Sequence, residues 1–429
     1  MTRPFSHTGD KEMPKSGNPI PSTLEQLHRD PSNLSTEQHL QLNDEFGAHN
    51  YKPLPVVLEK GRGVWVWDVD GNKYMDCLSA YSACNAGHCH PKIVKAIRQQ
   101  LGTFDNGARA FLHDKQGPFA AELAELCGKE MTLIMNTGAE AVETAIKAAR
   151  KYGYDKLGIP SNKAEIVVFE NNFHGRTTTI ISFSSEEHYR AGFGPYTPGF
   201  KIIPYGDIDA LEKVITENTC AVLLEPIQGE AGIIIPPEGF LRDVRRLCNK
   251  RDVLMMADEI QVGLGRTGAM FACDHEGVVP DVYILGKALG GNLIPVSAVV
   301  ANKNILEVFD PGSHGSTFGQ YPIACAAGRA SLKVLKEEHL AERSRELGEY
   351  FMGELRKINS RHIKEIRGRG LLIGVELNTK ARPFCEALMD EGLLCKETHD
   401  MVIRFAPPLI ITKKEIDWAI KRIKKILEA

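Results

Sequence analysis

Between about residue 115 and residue 300 the sequence alternates between two kinds of segment. Short apolar runs, Thr132–Met135, Ile166–Phe169, Ala221–Leu224, Val253–Ala257, Val282–Leu285 and Val296–Val300, stand apart, with helical stretches at about 139–152, 208–216 and 239–250 between several of them. The runs lack the every-second-residue polarity of a half-solvated strand, so both of their faces are covered. Unalternated strands joined through helices predict a parallel sheet in an α/β domain of the doubly wound kind. Its ligands are expected at the carboxyl ends of the strands.

The chain has 429 residues, several times the usual domain size, and two domains are expected. Lys plus Arg number 52 against 55 Asp plus Glu, a net charge of -3, which argues against bulk binding of nucleic-acid phosphates or an anionic membrane. No run approaches the roughly 18 apolar residues of a membrane span. The ten cysteines are scattered without a CxxC pair, which favours reduced thiols and a cytoplasmic location. His88-Cys89-His90 is the tightest group, but adjacent side chains diverge and no partner motif supplies further ligands. A packed turn is favoured there, and no metal is expected.

Residues 1–33 are polar and rich in Pro and Ser, with neither a secretory nor a transit pattern, and read as a flexible arm. Ser35-Thr36-Glu37-Gln38 reads as a capping box opening a short helix. The expected division is 34–85 as an N-terminal segment packing with the small domain, 86–319 as the large domain and 320–429 as the small one. Within the last, helices are predicted near 322–337 and 340–358, a strand at Leu371–Leu377, and a closing helix opened by Thr412-Lys413-Lys414-Glu415. That helix has one apolar face, Ile416, Ile420, Ile423 and Leu427, and one solvated basic face.

Gly263-Leu-Gly265-Arg-Thr-Gly268 matches GxGxxG, but it does not leave a strand directly and no helix start follows, so the dinucleotide reading is rejected. A better anion site is Asn136-Thr137-Gly138-Ala139, which follows a strand and opens an Ala-rich helix. The N–H groups of Gly138 and Ala139 stand at the positive helix end, although an ordinary strand-to-helix turn accounts for the segment equally well. Asp258 ends one predicted strand, where it binds a ligand or merely caps a turn. Lys287 follows another, in a Gly-rich apolar setting where burial lowers an amine's pKa from about 10.4, whereas an exposed loop charge is the ordinary reading of a single lysine. Together, a phosphate cradle, a strand-end Asp and a strand-end Lys are the parts that hold pyridoxal 5'-phosphate.

From Phe46 to the C-terminus the chain resembles the class III (omega) aminotransferases, and within them the ornithine-using branch. The matching stretches include Phe46-Gly-Ala-His-Asn-Tyr51-Lys-Pro-Leu-Pro55, Ser79-Ala-Tyr81, Gly87-His-Cys-His-Pro91 and Asn172-Phe173-His-Gly-Arg176-Thr. They continue with Glu225-Pro-Ile-Gln-Gly-Glu230-Ala-Gly, Ala257-Asp258-Glu-Ile-Gln261, Leu285-Gly-Lys287-Ala-Leu, His314-Gly-Ser-Thr317 and Arg404-Phe-Ala-Pro-Pro408.

The resemblance implies fold type I of the pyridoxal-phosphate transferases: a mainly parallel seven-stranded sheet in a large domain, plus a smaller α+β domain. It implies Lys287 as the Schiff-base lysine, Asp258 as partner of the pyridinium nitrogen, Phe173 and Ile260 on the two ring faces, and Gln261 at the ring hydroxyl. Gly138 and Ala139 would hold the phosphate, with Ser316 and Thr317 completing that site from a neighbouring subunit of a homodimer. Arg176 would anchor the substrate carboxylate, Tyr51 would orient the α-amino group, and Tyr81 would shape the pocket. The substrates implied are L-ornithine and 2-oxoglutarate. Glu230 would mask Arg404 while ornithine reacts and release it to the α-carboxylate of 2-oxoglutarate. After Thr317 this chain departs from the ornithine branch, reading Phe318-Gly-Gln320-Tyr321-Pro where aromatic-Gly-Gly-Asn-Pro is usual. The rival readings are an omega-aminotransferase for N-acetylornithine, 4-aminobutyrate or lysine, a fold-type I racemase or aminomutase, and a non-enzymatic scaffold.

Overall fold

The computed structural model describes residues 34–429; the expected arm at 1–33 lies outside the described residues. The chain forms two compact units, one running to Glu59 with Trp67–Asn72 added, the other comprising Lys60–Val66 and Lys73–Ala429. In the first unit helix α1 (Thr36–Phe46) starts as the sequence predicts. The Ser35 hydroxyl accepts from Gln38 N, and the Gln38 side chain accepts from Ser35 N at 2.9 Å, so two otherwise orphaned N–H groups are satisfied.

The second unit is built on a seven-stranded sheet. Its strands are β1 (Met131–Met135), β2 (Glu165–Phe169), β3 (Phe200–Ile203), β4 (Thr219–Leu224), β5 (Leu254–Asp258), β6 (Val282–Leu285) and β7 (Ser297–Ala301). They lie in the order β1-β7-β6-β5-β4-β2-β3. Pairing is parallel from β6 through β3, while β7 runs antiparallel to both β1 and β6. The sheet is therefore mainly parallel, as expected. Its edge strand β3 escaped the sequence reading because it is short and carries an exposed lysine, Lys201.

Burial on both faces explains the unalternated runs. Ile166, Val168, Ala221 and Leu223 pack against helix α2 (Gly138–Asp155) through Ala141, Ala145 and Ala148. Their neighbours Val167, Phe169, Val222 and Leu224 point to the opposite face, against Phe240, Val244 and Leu247 of helix α4 (Phe240–Arg251), beyond the short α3 (Ile208–Val214). Each of the Val, Leu, Ile and Phe side chains among them contributes about 1.5–3 kcal/mol by leaving water.

C-terminal to this sheet come helices α5 (Pro322–Glu337) and α6 (Leu340–Leu355). They are followed by an antiparallel sheet of β8 (Ile363–Arg369), β9 (Leu372–Leu377), β10 (Lys396–Thr398) and β11 (Val402–Phe405), in the order β8-β9-β11-β10. Helix α7 (Lys413–Leu427) closes the chain, with Thr412 and Glu415 forming the expected capping box. Ile416, Ile423 and Leu427 are buried on it and Ile420 is half-buried. No helix among the described residues is long and apolar enough to cross a membrane.

The GxGxxG segment opens no helix; it is a run of turns in which Gly265 and Gly268 have positive φ, 87° and 92°. Arg266 between them is fully buried and donates to the carbonyls of Leu371 and Pro407 and to Asn85 Oδ1. The His88-Cys89-His90 turn is occupied by acids: His88 Nε2 lies 2.8 Å from Asp76 Oδ2, and His90 Nε2 lies 3.2 Å from Glu338.

Candidate active site

The site lies at the carboxyl ends of β5 and β6, beside the amino end of α2. Thr137 caps α2, and the Glu140 carboxylate in turn accepts from Thr137 N at 2.7 Å and from Asn136 N at 3.1 Å. The capping box satisfies those groups internally, which leaves Gly138 and Ala139 N–H at the helix end to face a ligand. A Cβ at Gly138 would stand 3.1 Å from Ile260 Cδ1, so a side chain there would crowd the space between the helix and the strand end.

Asp258, the last residue of β5, is buried. Its Oδ1 accepts from Ile260 N at 3.1 Å, and its Oδ2 lies 2.6 Å from His174 Nδ1. Burial opposes charge on His174, but the bond to Asp258 and the charges of Asp258 and Glu225 prevail, and its pKa is raised. The other ring nitrogen, Nε2, is buried with no hydrogen-bond partner among the described residues. Glu225 follows β4 as Asp258 ends β5. Burial pushes its pKa up to about 7, against the opposing effect of His174, and its Oε2 accepts from Phe173 N at 3.0 Å.

Lys287 follows β6 and Gly286 with φ of 45°, a left-handed conformation that a lysine adopts only under constraint. It is half-buried, and desolvation, with Arg404 adding to it, lowers its pKa despite the carboxylates of Glu230, Asp258 and Glu225. Lys287, Asp258, Ile260, Gln261, Phe173, Gly138 and Ala139 all line one cavity of about 190 Å³. The sequence-predicted ring and phosphate residues contributed by this chain thus converge.

Beyond Gln261 the site continues to an ion pair between the half-buried Glu230 and the buried Arg404. Gln261 Nε2 donates to Glu230 Oε1 at 2.9 Å, while its Oε1 is buried and has no partner among the described residues. Both Glu230 oxygens accept from Arg404, each at 2.8 Å. Burial alone would raise the Glu230 pKa; Arg404, aided by Lys287 and Gln261, holds it far below the usual carboxylate range. Tyr81 faces this pair, with the Arg404 guanidinium 5.5 Å from its ring centre. Tyr81 lies in a run of four residues with positive φ, Ser79 to Ser82. Such backbone costs about 1–2 kcal/mol per residue. Asp76 helps to hold it, its Oδ1 accepting from Leu78 N at 2.9 Å and Ser79 N at 2.8 Å.

Arg176 lies outside the cavity lining, its guanidinium 5.5 Å from the Phe173 ring and 4.9 Å from the Tyr189 ring. Tyr51 belongs to the first unit and is exposed. The Ser316 hydroxyl accepts from Asn136 Nδ2 of its own chain at 2.8 Å, and Thr317 is exposed. In the departing stretch, Gln320 has a φ of 66°, and its carbonyl lies 2.6 Å from His113 Nε2. Phe318 and Tyr321 meet edge to face. The sequence reading assigned no role to His174 or Glu225. Glu225 was accessible to the same strand-end argument that selected Asp258, whereas nothing local marked His174 apart from Phe173 beside it.

A family model described as aminotransferase class-III matches residues 46–427, and the chain belongs to that family. It is accordingly an enzyme, a pyridoxal-phosphate-dependent aminotransferase. The ornithine aminotransferase of Geobacillus sp. (strain WCH70) is 62% identical over 391 residues, 91% of this chain and 98% of that protein. A solved ornithine aminotransferase from Toxoplasma gondii, with partial occupancy of PLP at its active site, superposes with a TM-score of 0.92 at 42% identity, covering 94% of this chain and 97% of that one. The acetylornithine aminotransferase from Elizabethkingia anophelis superposes with a TM-score of 0.84 at 46% identity, covering 92% and 99%.

The residues present fit that cofactor. Its phosphate suits the N–H groups at Gly138 and Ala139, its ring nitrogen suits the Asp258 carboxylate, and its hydroxyl suits the unpartnered Gln261 Oε1.

Proposed function

We propose that this protein transfers the δ-amino group of L-ornithine to 2-oxoglutarate. The products are glutamate, and glutamate-5-semialdehyde that cyclises to pyrroline-5-carboxylate. The observation that carries this reading is the closed Glu230–Arg404 pair at the edge of the Lys287 cavity. An open arginine there would draw ornithine in by its α-carboxylate and present the wrong amine. With Glu230 in place that charge is neutralised, and the terminal amine enters. The α-carboxylate of 2-oxoglutarate then displaces Glu230 and takes Arg404 by the same two-bond geometry.

Pyridoxal phosphate, when bound, supplies an electron sink and carries the amino group between the two substrates. The protein does the rest. The Lys287 amine, with its lowered pKa, moves the proton at the substrate carbon. Asp258, braced by His174, presents its carboxyl group at the strand end to the cofactor's ring nitrogen. Arg176 anchors the carboxylate remote from the reacting amine, Tyr51 orients the α-amino group, and Tyr81 walls the pocket. That free α-amino group separates ornithine from 4-aminobutyrate, which lacks it.

The same reading includes a homodimer in which Ser316 and Thr317 complete the partner's phosphate site. Phe111 and Leu112 support it, being 75% and 85% exposed in the single chain, as does the exposed Phe318. It includes a large domain at 86–319, which contains the whole seven-stranded sheet, and a small domain at 320–429. A cytoplasmic location is supported by ten free cysteines, nine of them buried. The test is the amino-donor profile of purified holoenzyme with 2-oxoglutarate, with the aldehyde product identified. Ornithine is expected to lead; equal or greater turnover of N-acetylornithine, 4-aminobutyrate or lysine would refute the substrate. Mixing Lys287→Ala and Thr317→Ala proteins should restore some activity if sites are shared between subunits.

A further inference from the structure

Strand β10 places a second cation beside Arg404. Lys396 and Arg404 are directly opposed in the antiparallel β10–β11 pair, so their side chains share one face of the sheet. Thr398, two residues on, shares that face and donates its hydroxyl to the Glu230 carbonyl at 2.6 Å. Both cations flank one aromatic ring: Lys396 Nζ lies 5.9 Å and Arg404 Cζ 5.5 Å from the centre of Tyr81. Lys396 is half-buried, and it takes part in none of the ion pairs among the described residues, whereas both terminal nitrogens of Arg404 donate to Glu230.

The exchange of Glu230 for a substrate carboxylate has a charge problem. While Glu230 holds Arg404, one negative charge meets one positive charge. Once an incoming carboxylate takes the arginine, two negative charges crowd it in a partly desolvated site, and like charges there repel strongly. A second positive charge on the same face removes that penalty.

We propose that Lys396 is the counter-charge that receives Glu230 when a 2-oxo acid carboxylate displaces it from Arg404, making Lys396 a specificity-determining residue for the amino acceptor. The inference rests on the ornithine and 2-oxoglutarate reading above. Lys396 has no part in the amine half-reaction, during which Glu230 stays on Arg404. It acts only in the second, where it lowers the cost of opening the pair.

The test separates the half-reactions of the holoenzyme. Lys396→Met should raise the KM for 2-oxoglutarate about tenfold, while the single-turnover rate with ornithine, followed by cofactor absorbance without oxo acid, stays unchanged. Lys396→Arg, which keeps the charge, should restore the KM. An unchanged oxo-acid KM in Lys396→Met, failure of arginine to restore it, or equal loss of both half-reactions would overturn the proposal. Absence of an ornithine half-reaction in the unsubstituted protein would overturn the substrate reading instead.

Discussion

Glu230 binds Arg404 through both of its oxygens at 2.8 Å, in a site where Arg404 is only 2% exposed. Removing one partner of such a pair strands the other charge in low dielectric. Glu230→Ala is therefore expected to cost about 3–5 kcal/mol of stability, measured by denaturant unfolding of the apoprotein. It should also shift regiochemistry, because the unmasked arginine now holds α-carboxylates. Reaction at α-amines relative to δ-amines should rise by roughly tenfold or more, read from the products formed from ornithine. Unchanged regiochemistry would refute masking.

Much of this was legible in the sequence, for reasons that differ between residues. Lys287 and Asp258 stand at the ends of uninterrupted apolar runs, and that local pattern fixes where a parallel sheet presents its ligands. The Glu230–Arg404 contact spans 174 residues and was anticipated only through the family resemblance. Local pattern could not reveal the His174–Asp258 bond, since 84 residues separate its partners, nor the reversal of β7, since an apolar strand reads the same in either direction. The left-handed run around Tyr81 was equally hidden: Ser79-Ala80-Tyr81-Ser82 contains no glycine to announce positive φ.

Glu225 and His174 both have raised pKa values, and raised values have one sign in linkage. Glu225 moves from an ordinary 4.5 to about 7, so the folded state holds its proton more tightly than the unfolded chain. Its contribution to stability is complete below pH 4.5 and is lost as pH rises through about 7. His174 acts in the same direction from its ordinary value of 6.5 upward. Glu225→Gln should therefore flatten the decline in apoprotein stability between these two limits, which thermal unfolding across a pH series measures. An unaltered slope would mean that Glu225 titrates normally.

Gly229 is where the backbone passes closest to the Gln261 amide. A Cβ there would stand 1.7 Å from Gln261 Oε1, an overlap that only displacement of Gln261 relieves. Because Gln261 also donates to Glu230, Gly229→Ala should disturb the cofactor side and the ion pair together. The expected result is at least about tenfold weaker retention of pyridoxal phosphate, equivalent to about 1.4 kcal/mol, measured by dialysis and reloading. Retention equal to that of the unsubstituted protein would show that Gln261 makes no important contact with the cofactor.

Lys287 combines a strained backbone with a desolvated amine that feels the carboxylates of Glu230 and Asp258. Because its pKa lies below that of an ordinary lysine, the fraction of neutral amine at a given pH is higher. Capture of pyridoxal phosphate by the apoprotein should then show a pH midpoint below the about 10.4 of an ordinary lysine. Borohydride reduction of the holoenzyme should leave the cofactor label on Lys287, located by peptide mass spectrometry. Lys287→Ala removes the group that moves the proton at the substrate carbon, and multiple turnover should fall by at least about 10²–10⁴. Methylamine, a small free amine, should recover part of that loss. The helix cap at Thr137 and the Glu230–Arg404 pair do not involve the lysine side chain, so the folded protein should persist. A label on another residue, or near-normal turnover by the alanine variant, would remove Lys287 from the chemistry.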